Sequence, residues 1–199
     1  MPKSSAPRLR PPRQRRSHDT LAALLRASEH LLESRSFKDV TINSILREAG
    51  SSAGSFYARF ADKNALLHAL HQRFCDSARD KARDLATSID PGVLRREDLT
   101  LLLMEELIRT HVANRGVLRA ALMEALVDPA FVDRVRQVTR DVAQAITPLL
   151  NSARPPRDIP ATDVETGLQT VLAVLDQDLF LGVRTPRGAP APRAIREPA

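Results

Sequence analysis

The sequence has a single cysteine, Cys75, so it cannot form a disulfide within one chain, in agreement with a reducing compartment. It has no transmembrane run, and its basic N-terminus does not lead into the apolar stretch of a signal peptide, so we expect a cytoplasmic protein without membrane partners. Only 7 glycines occur among 199 residues and alternating β-branched runs are nearly absent, which favours an all-α fold. The sequence contains no glycine-rich phosphate loop, no metal quartet and no assignable catalytic triad, so nothing in it indicates an enzyme.

The positive charge, +6 in total, lies at the two ends of the chain. Residues 1–16 contain six basic groups and no acidic group, whereas residues 17–63 contain six of each sign. The compositions of residues 1–16 and 185–199, rich in proline and arginine, predict a disordered basic arm and a disordered tail. The arm either solubilises the chain or lies along DNA phosphates, and the composition leaves both open.

Residues 41–60 have the pattern of a helix, a tight turn and a second helix. Thr41 suits an N-cap, Gly50 suits a sharp exit, and Ser52 offers a second N-cap. The outer side of the second helix carries only small residues, Ala53, Gly54 and Ser55. Its inner side is anchored by two phenylalanines, Phe56 and Phe60. A short, low-relief helix held at an angle to a preceding one fits the major groove of DNA, which predicts a helix-turn-helix.

Between residues 21 and 70 the chain resembles the TetR family of bacterial transcription regulators. The features that carry the resemblance are the Leu-rich first helix, Phe37, Val40-Thr41, Ala49-Gly50, Gly54-Ser55-Phe56-Tyr57, Phe60, Lys63 and Leu66-Leu67. The resemblance implies a three-helix DNA-binding domain over residues 17–63 and a C-terminal regulatory and dimerisation domain over residues 64–184, both all-α. It also implies a transcriptional regulator, most simply a repressor.

Residues for DNA contact follow partly from chemistry and partly from the resemblance. Hydroxyls at helix N-termini suit phosphate oxygens, and small residues on the second helix could read bases. The resemblance implies phosphate contacts for Tyr57 and Lys63. The predicted set is Thr41, Ser52, Ala53, Ser55, Tyr57, Arg59 and Lys63. Because Arg59 is the one bidentate base reader near that helix, specificity should depend on thymine methyls, DNA shape or the arm.

The C-terminal half is predicted to contain two long apolar helices joined by a proline-rich loop. The first has apolar residues at alternating spacings of four and three, a heptad-like seam that needs a helical partner. Two such helices make half of a four-helix bundle, and a second copy of the chain would supply the other half. The predicted dimer contacts are Phe131, Val135, Val138, Val142, Ala145, Leu149, Leu168, Val171, Leu175 and Leu179.

The resemblance further implies a small-molecule effector that changes the separation of the two DNA-reading modules of a dimer. An apolar pocket with one polar group could be lined by Phe74, Met104, Leu107, His111, Leu122 and Met123. The spacing of His68, His71 and Cys75 could suit a metal, but no fourth ligand is indicated, so we predict no metal and no cofactor.

Two alternatives stay open at this point. One is a helical protein-interaction adaptor that contains a helix-turn-helix shape without binding DNA. The other is an activator of the same fold.

A two-fold dimer would bind a pseudo-palindromic operator whose half-sites lie about 34 to 36 Å apart.

Overall fold

The computed structural model describes residues 13–181, which form eight α-helices and, within that range, no β-strand. The helices are α1 (Arg13–Ser34), α2 (Ile42–Ala49), α3 (Ala53–Tyr57), α4 (Lys63–Ser88), α5 (Arg96–Ala113), α6 (Arg115–Glu124), α7 (Ala130–Ser152) and α8 (Ala161–Leu181). None of these helices is both long enough and apolar enough to span a membrane. The predicted all-α fold is confirmed.

Two helix boundaries differ from the prediction in ways that affect the site. α1 begins at Arg13, so residues 13–16 belong to a helix and not to a disordered arm. The remainder of the predicted arm and the predicted tail lie outside the described residues. The pattern predicts the second helix over residues 53–59, but α3 ends at Tyr57, so Arg59 follows the helix instead of belonging to its last turn.

The first hydrophobic core lies where α1, α2 and α3 pack against the beginning of α4. Its most deeply buried side chains are Leu24, Leu32, Val40, Ile45, Phe56, Leu66, Leu67 and Leu70. Three residues of α6 and Phe131 of α7 belong to the same core. The DNA-binding and regulatory domains predicted from the sequence therefore share buried apolar surface, and α6 is part of the support of the helix-turn-helix.

The second core joins the C-terminal half of α4 to α5, α7 and α8. Its buried members are Ala82, Leu99, Leu103, Ala143, Ile146, Leu149, Leu150, Ala153 and Leu168. An ion pair also joins α4 to α7, with Arg79 Nε 2.6 Å from Asp141 Oδ2. This hydrogen bond holds the pKa of Asp141 below its usual value. Because α4 belongs to both cores, it ties the N-terminal helices to the C-terminal helices.

A close contact joins α6 to the C-terminal end of α1. A methyl group added at Gly116 would lie only 2.5 Å from the carbonyl oxygen of Leu32. Arg119 Nη2 donates to the carbonyls of Leu32 and Arg35 at 3.2 and 3.0 Å. These carbonyls belong to the last turn and exit of α1, where helical acceptors lack partners. Gly116 allows the approach of the two helices, and Arg119 fastens it.

Candidate nucleic-acid interface

The first helix of the predicted helix-turn-helix begins in a capping box. Thr41 Oγ1 accepts a hydrogen bond from the amide of Ser44 at 3.1 Å, and Ser44 Oγ accepts one from the amide of Thr41 at 3.1 Å. The two side chains thus satisfy donors at the start of α2 that have no helical partner. The amphipathic pattern of α2 buries Ile45 completely, which fixes the helix on the first core.

The turn between the two helices depends on one glycine. Gly50 has φ 58° and ψ 34°, a left-handed conformation that side chains with a Cβ rarely adopt. The amide of Ser51 then donates to the carbonyl of Leu46 at 2.9 Å, which closes the end of α2. The chain can therefore leave α2 sharply and start α3 three residues later.

The second helix, α3, presents a flat outer face. Ser52 is its N-cap and accepts from the amide of Ser55 at 3.2 Å, while Phe56 is fully buried and anchors the inner side. Ala53 and Gly54 are exposed and add almost no relief to the outer side. A ligand surface can therefore approach the backbone of α3 closely at its N-terminal end.

Tyr57 lies at the end of α3 with 58% of its surface exposed. Its ring meets the ring of Phe56 edge to face, with centroids 5.4 Å apart. Ser52 and Ala53, at the other end of α3, are also exposed. Thr41 is exposed as well, so four of the seven residues predicted to contact DNA are exposed at the surface.

The other three predicted contact residues have structural roles in addition. Ser55 is half-buried, with its hydroxyl 3.0 Å from that of Ser52. Arg59 Nη1 donates to the carbonyl of Ser55 at 2.7 Å, so it fastens the end of α3 in this structure instead of extending from its outer face. The sequence did not show this role of Arg59. It depends on α3 ending at Tyr57, which allows the Arg59 side chain to fold back onto the helix.

Lys63 connects the loop before α2 to the beginning of α4. Its ammonium group donates to the carbonyls of Phe37 and Val40 at 2.7 and 2.9 Å and lies 4.3 Å from the centre of the Phe37 ring. An ammonium group has three N–H donors, so one is left for a phosphate oxygen. Lys63 therefore positions the helix-turn-helix whether or not it also contacts DNA.

The six residues predicted to line an effector pocket lie in different surroundings. Met104 and Leu107 pack against the second core, and Phe74 stacks against the ring of His71. Leu122 and Met123 instead line a cavity between α1, α6 and α8. The prediction that all six face one pocket is therefore corrected for Leu122 and Met123. α6 carries both residues toward the end of α1.

The sixth residue, His111, is buried between α5 and α8. Its Nε2 atom has no hydrogen-bond partner among the described residues, and the nearest carboxylate, Asp176 Oδ1, is 3.7 Å away. Burial lowers the pKa of His111 and raises the pKa of Asp176. An unsatisfied polar atom in a buried position is costly, so His111 is the polar group of this region most suited to meet a ligand.

Four predicted dimer contacts are corrected by their burial within the chain. Phe131 and Val138 are buried in α7, which packs along α4, while Leu149 and Leu168 belong to the second core. The heptad-like seam of α7 thus finds its helical partner in the same chain. The remaining six keep some exposed surface, and their role stays a prediction: Val135, Val142, Ala145, Val171, Leu175 and Leu179.

A polar cluster between α4 and α7 explains the unusual histidine and cysteine spacing. His68 Nε2 lies 2.9 Å from Asp128 Oδ2, and Arg134 Nη1 lies 2.9 Å from His71 Nδ1. Burial lowers the pKa of His71 to about 4, with a smaller contribution from the positive charge of Arg134. Burial also raises the pKa of the Cys75 thiol to about 11, so it stays protonated and unreactive near neutral pH. Within residues 13–181 no group of three or more His, Cys, Asp or Glu side chains could hold a metal.

A capped pair of short helices joined by a left-handed glycine, with the second helix bare on its outer side, defines a helix-turn-helix DNA-binding protein. Residues 24–70 match the family model described as bacterial regulatory proteins, tetR family. These residues therefore form a DNA-binding domain of this family, and the comparisons support a DNA-binding transcriptional regulator.

Known proteins of the same family resemble the chain beyond this domain. It is 26% identical over 189 residues to the HTH-type transcriptional regulator EthR of Mycolicibacterium smegmatis, covering 86% of this chain and 84% of that protein. It is 29% identical over 117 residues to EthR of Mycobacterium tuberculosis, of which it spans only 53%. A putative TetR-family regulator from Rhodococcus sp. has a similar fold, with a TM-score of 0.58, 23% identity and coverage of 83% of this chain and 90% of that one.

Proposed function

We propose that the protein is a cytoplasmic repressor that binds a pseudo-palindromic operator as a homodimer and leaves it when a small apolar effector binds the C-terminal domain. The observation that carries the DNA-binding part is the exposed, nearly featureless outer face of α3, held in place by the buried ring of Phe56. Such a face costs little to desolvate and lets the backbone of α3 approach base edges.

The proposed DNA contacts are of two kinds. Thr41, Ser52, Tyr57 and Lys63 bring hydroxyls, helix N-terminal amides and one ammonium group to the phosphates, and these contacts set orientation without reading sequence. Ala53 and Ser55 face the bases. Apolar contact with thymine methyl groups and a single hydroxyl are weak readers, so groove shape should contribute much of the specificity.

The proposed dimer contact is the outer face of α8. A shallow groove of 460 Å³ runs along it, and all six residues that line it are uncharged: Thr166, Gln169, Thr170, Ala173, Val174 and Gln177. Val174 is 59% exposed although it is apolar, and small neighbours let a second helix approach closely. A two-fold dimer brings the same face of both copies together, and an uncharged face avoids repulsion between like charges there.

The proposed effector acts through the region around α5 and α8. Met104 and Leu107 supply apolar surface, and the unsatisfied Nε2 atom of His111 supplies one hydrogen-bonding group. The effector need only prefer the dimer in which the two α3 helices have the wrong separation. The affinity for DNA must then fall by the same factor by which DNA lowers the affinity for the effector.

The first experiment tests the DNA-reading face with two matched substitutions. Binding sites are selected from a randomised duplex pool with the full chain, and affinity for the recovered site is then measured by fluorescence anisotropy. Ala53→Glu places a carboxylate on the outer face of α3, whereas Ala130→Glu places one at the same first position of α7. Both alanines are exposed and a glutamate suits the first turn of either helix, so both variants should fold normally.

We expect Ala53→Glu to weaken operator binding by more than about tenfold, because it brings a bulky negative charge into the groove, where base edges and flanking phosphates are electronegative, and Ala130→Glu to leave it unchanged. An inverted repeat in the recovered sites would support a dimeric regulator. If the two variants bind DNA equally well, or if no common sequence is recovered, α3 does not read DNA and a helical protein-interaction adaptor becomes the better description.

A second pair of variants tests the dimer face. Val174→Arg places a charge in the α8 groove, and Val93→Arg places one on a valine that is 74% exposed, in the segment before α5. Sedimentation velocity at fixed protomer concentration should show a dimer for the parent chain and for Val93→Arg, and a shift toward monomer for Val174→Arg. A Val174→Arg protein that stays fully dimeric would exclude this face as the interface.

A further inference from the structure

A cavity of 350 Å³ lies at the junction between the DNA-reading and regulatory halves of the chain. Its walls come from the end of α1, the loop that follows α1, the helix α6 and the end of α8. The volume falls within the range of about 300 to 1,000 Å³ typical of small-molecule sites. None of the residues that line it belongs to the outer faces of α3 and α8, and His111 is not among them. We refer to it as the junction cavity.

Apolar side chains form one part of the junction cavity. Phe37 comes from the loop after α1, Leu122 and Met123 come from α6, and Leu179 comes from α8. Met123 has 45% of its surface exposed, which is costly for an apolar side chain and would be relieved by an apolar ligand. Three separate segments therefore contribute apolar surface to a partly enclosed space.

Two cations lie on the polar part of the same cavity. Lys38 is exposed, and its ammonium group makes no hydrogen bond or ion pair with any described residue. Arg119 uses Nη2 to hold the end of α1, and this fixes the guanidinium group in place. Its Nε and Nη1 donors have no partner among the described residues, and a guanidinium fork of this kind matches the two oxygens of a carboxylate.

One carboxylate, Glu124, also lines the cavity. The charged side chains of the lining, Lys38, Arg119 and Glu124, therefore sum to one positive charge. Neither cation forms an ion pair with Glu124. A neutral ligand would leave this excess charge uncompensated, and a cationic ligand would increase it. A ligand that carries one negative charge and an apolar body matches both parts of the wall.

We infer that the junction cavity binds a small organic anion with an apolar body, whose carboxylate lies between Lys38 and Arg119 and whose hydrocarbon part covers Leu122 and Met123. This site is separate from the effector site proposed above and does not depend on it. Because its walls come from both halves of the chain, a ligand there contacts the end of α1 and the regulatory helices at the same time.

The test is isothermal titration calorimetry with the full chain and no DNA, so that its result is independent of operator binding. Octanoate is the probe, and octylammonium has the same apolar body with the opposite charge. We expect octanoate to bind and octylammonium to bind at least about tenfold more weakly. Equal binding of the two, or no binding of octanoate at millimolar concentration, overturns the inference.

Three variants locate the site. Lys38→Gln removes the unpaired cation, and Met123→Glu adds a carboxylate to the exposed part of the wall; each should weaken octanoate binding about tenfold or more. Arg157→Gln removes an exposed cation from the loop before α8 and should have no effect. Unchanged thermal unfolding of the variants establishes that they are folded. If Lys38→Gln and Met123→Glu bind octanoate as the parent chain does, the ligand lies elsewhere and the inference is wrong.

Discussion

Replacement of Gly116 by alanine should destabilise the protein, although alanine is the better helix former. Gly116 lies in the first turn of α6, directly against the end of α1. An added Cβ atom would meet the carbonyl oxygen of Leu32 at 2.5 Å, its carbonyl carbon at 2.6 Å and the amide nitrogen of Glu33 at 3.0 Å. All three atoms belong to the backbone, so no rotation of a side chain can relieve the contact.

The size of the effect follows from two opposing contributions. Helix propensity favours alanine over glycine by at most about 1 kcal/mol. Overpacking a tight contact usually costs about 1 to 3 kcal/mol, and here α1 and α6 must separate by several tenths of an ångström along a fully packed core. That movement would also lengthen the hydrogen bonds from Arg119 to Leu32 and Arg35. We therefore expect a net loss of about 1 to 2 kcal/mol in the free energy of unfolding.

Gly167 of α8 is the matched control, because an added Cβ atom there would have no neighbour within 4 Å. Gly167→Ala should raise the free energy of unfolding by up to about 1 kcal/mol through helix propensity alone. Urea unfolding followed by circular dichroism, at one fixed protomer concentration, measures both variants. A Gly116→Ala protein as stable as the parent chain would refute the conclusion that α6 is pressed against α1.

Two further predictions concern buried polar groups. The unfolded chain protonates His71 near pH 6.5 and the folded chain only near pH 4, so the unfolded state binds more protons between these values; stability should fall by about 3 kcal/mol as the pH is lowered through this window. His71→Asn should reduce that slope in urea unfolding between pH 7 and pH 4 and leave the part that the lowered pKa of His111 contributes, and an unchanged slope would contradict the role of His71. Lys63→Met should cost about 1 to 3 kcal/mol and weaken operator binding, because the carbonyls of Phe37 and Val40 lose their donor. Lys38→Met, at an exposed lysine without a described partner, should change the free energy of unfolding by less than about 0.5 kcal/mol, and equal effects of the two substitutions would contradict a positioning role for Lys63.

The reading helix pair could be predicted from the sequence because its signals are local. The caps Thr41 and Ser52 and the turn glycine Gly50 all act within four residues of their own positions. Each was expected from the residue type alone, and each has that role in the structure. Local hydrogen bonds and backbone sterics leave few alternatives for such a segment.

The partner of the α7 seam could not be predicted in the same way. The spacing of Phe131, Val138 and Leu149 shows that a helix must cover them, but it does not show which one. In the structure α4 and the second core cover this face within one chain, so the proposed dimer would have to use other surface. Apolar periodicity specifies burial and leaves the identity of the neighbour to the tertiary fold.

The sequence by itself determined that the chain is helical and where the caps and turn of the α2–α3 pair lie, because these depend on contacts between residues a few positions apart. Only the tertiary structure decided that Gly116 and Arg119 fasten α6 to α1, that Lys63 holds the loop before α2, and that a cavity opens beside Lys38. The physical reason is that these contacts join residues separated by long stretches of chain. Their geometry is set by how whole helices pack, which no short sequence pattern records.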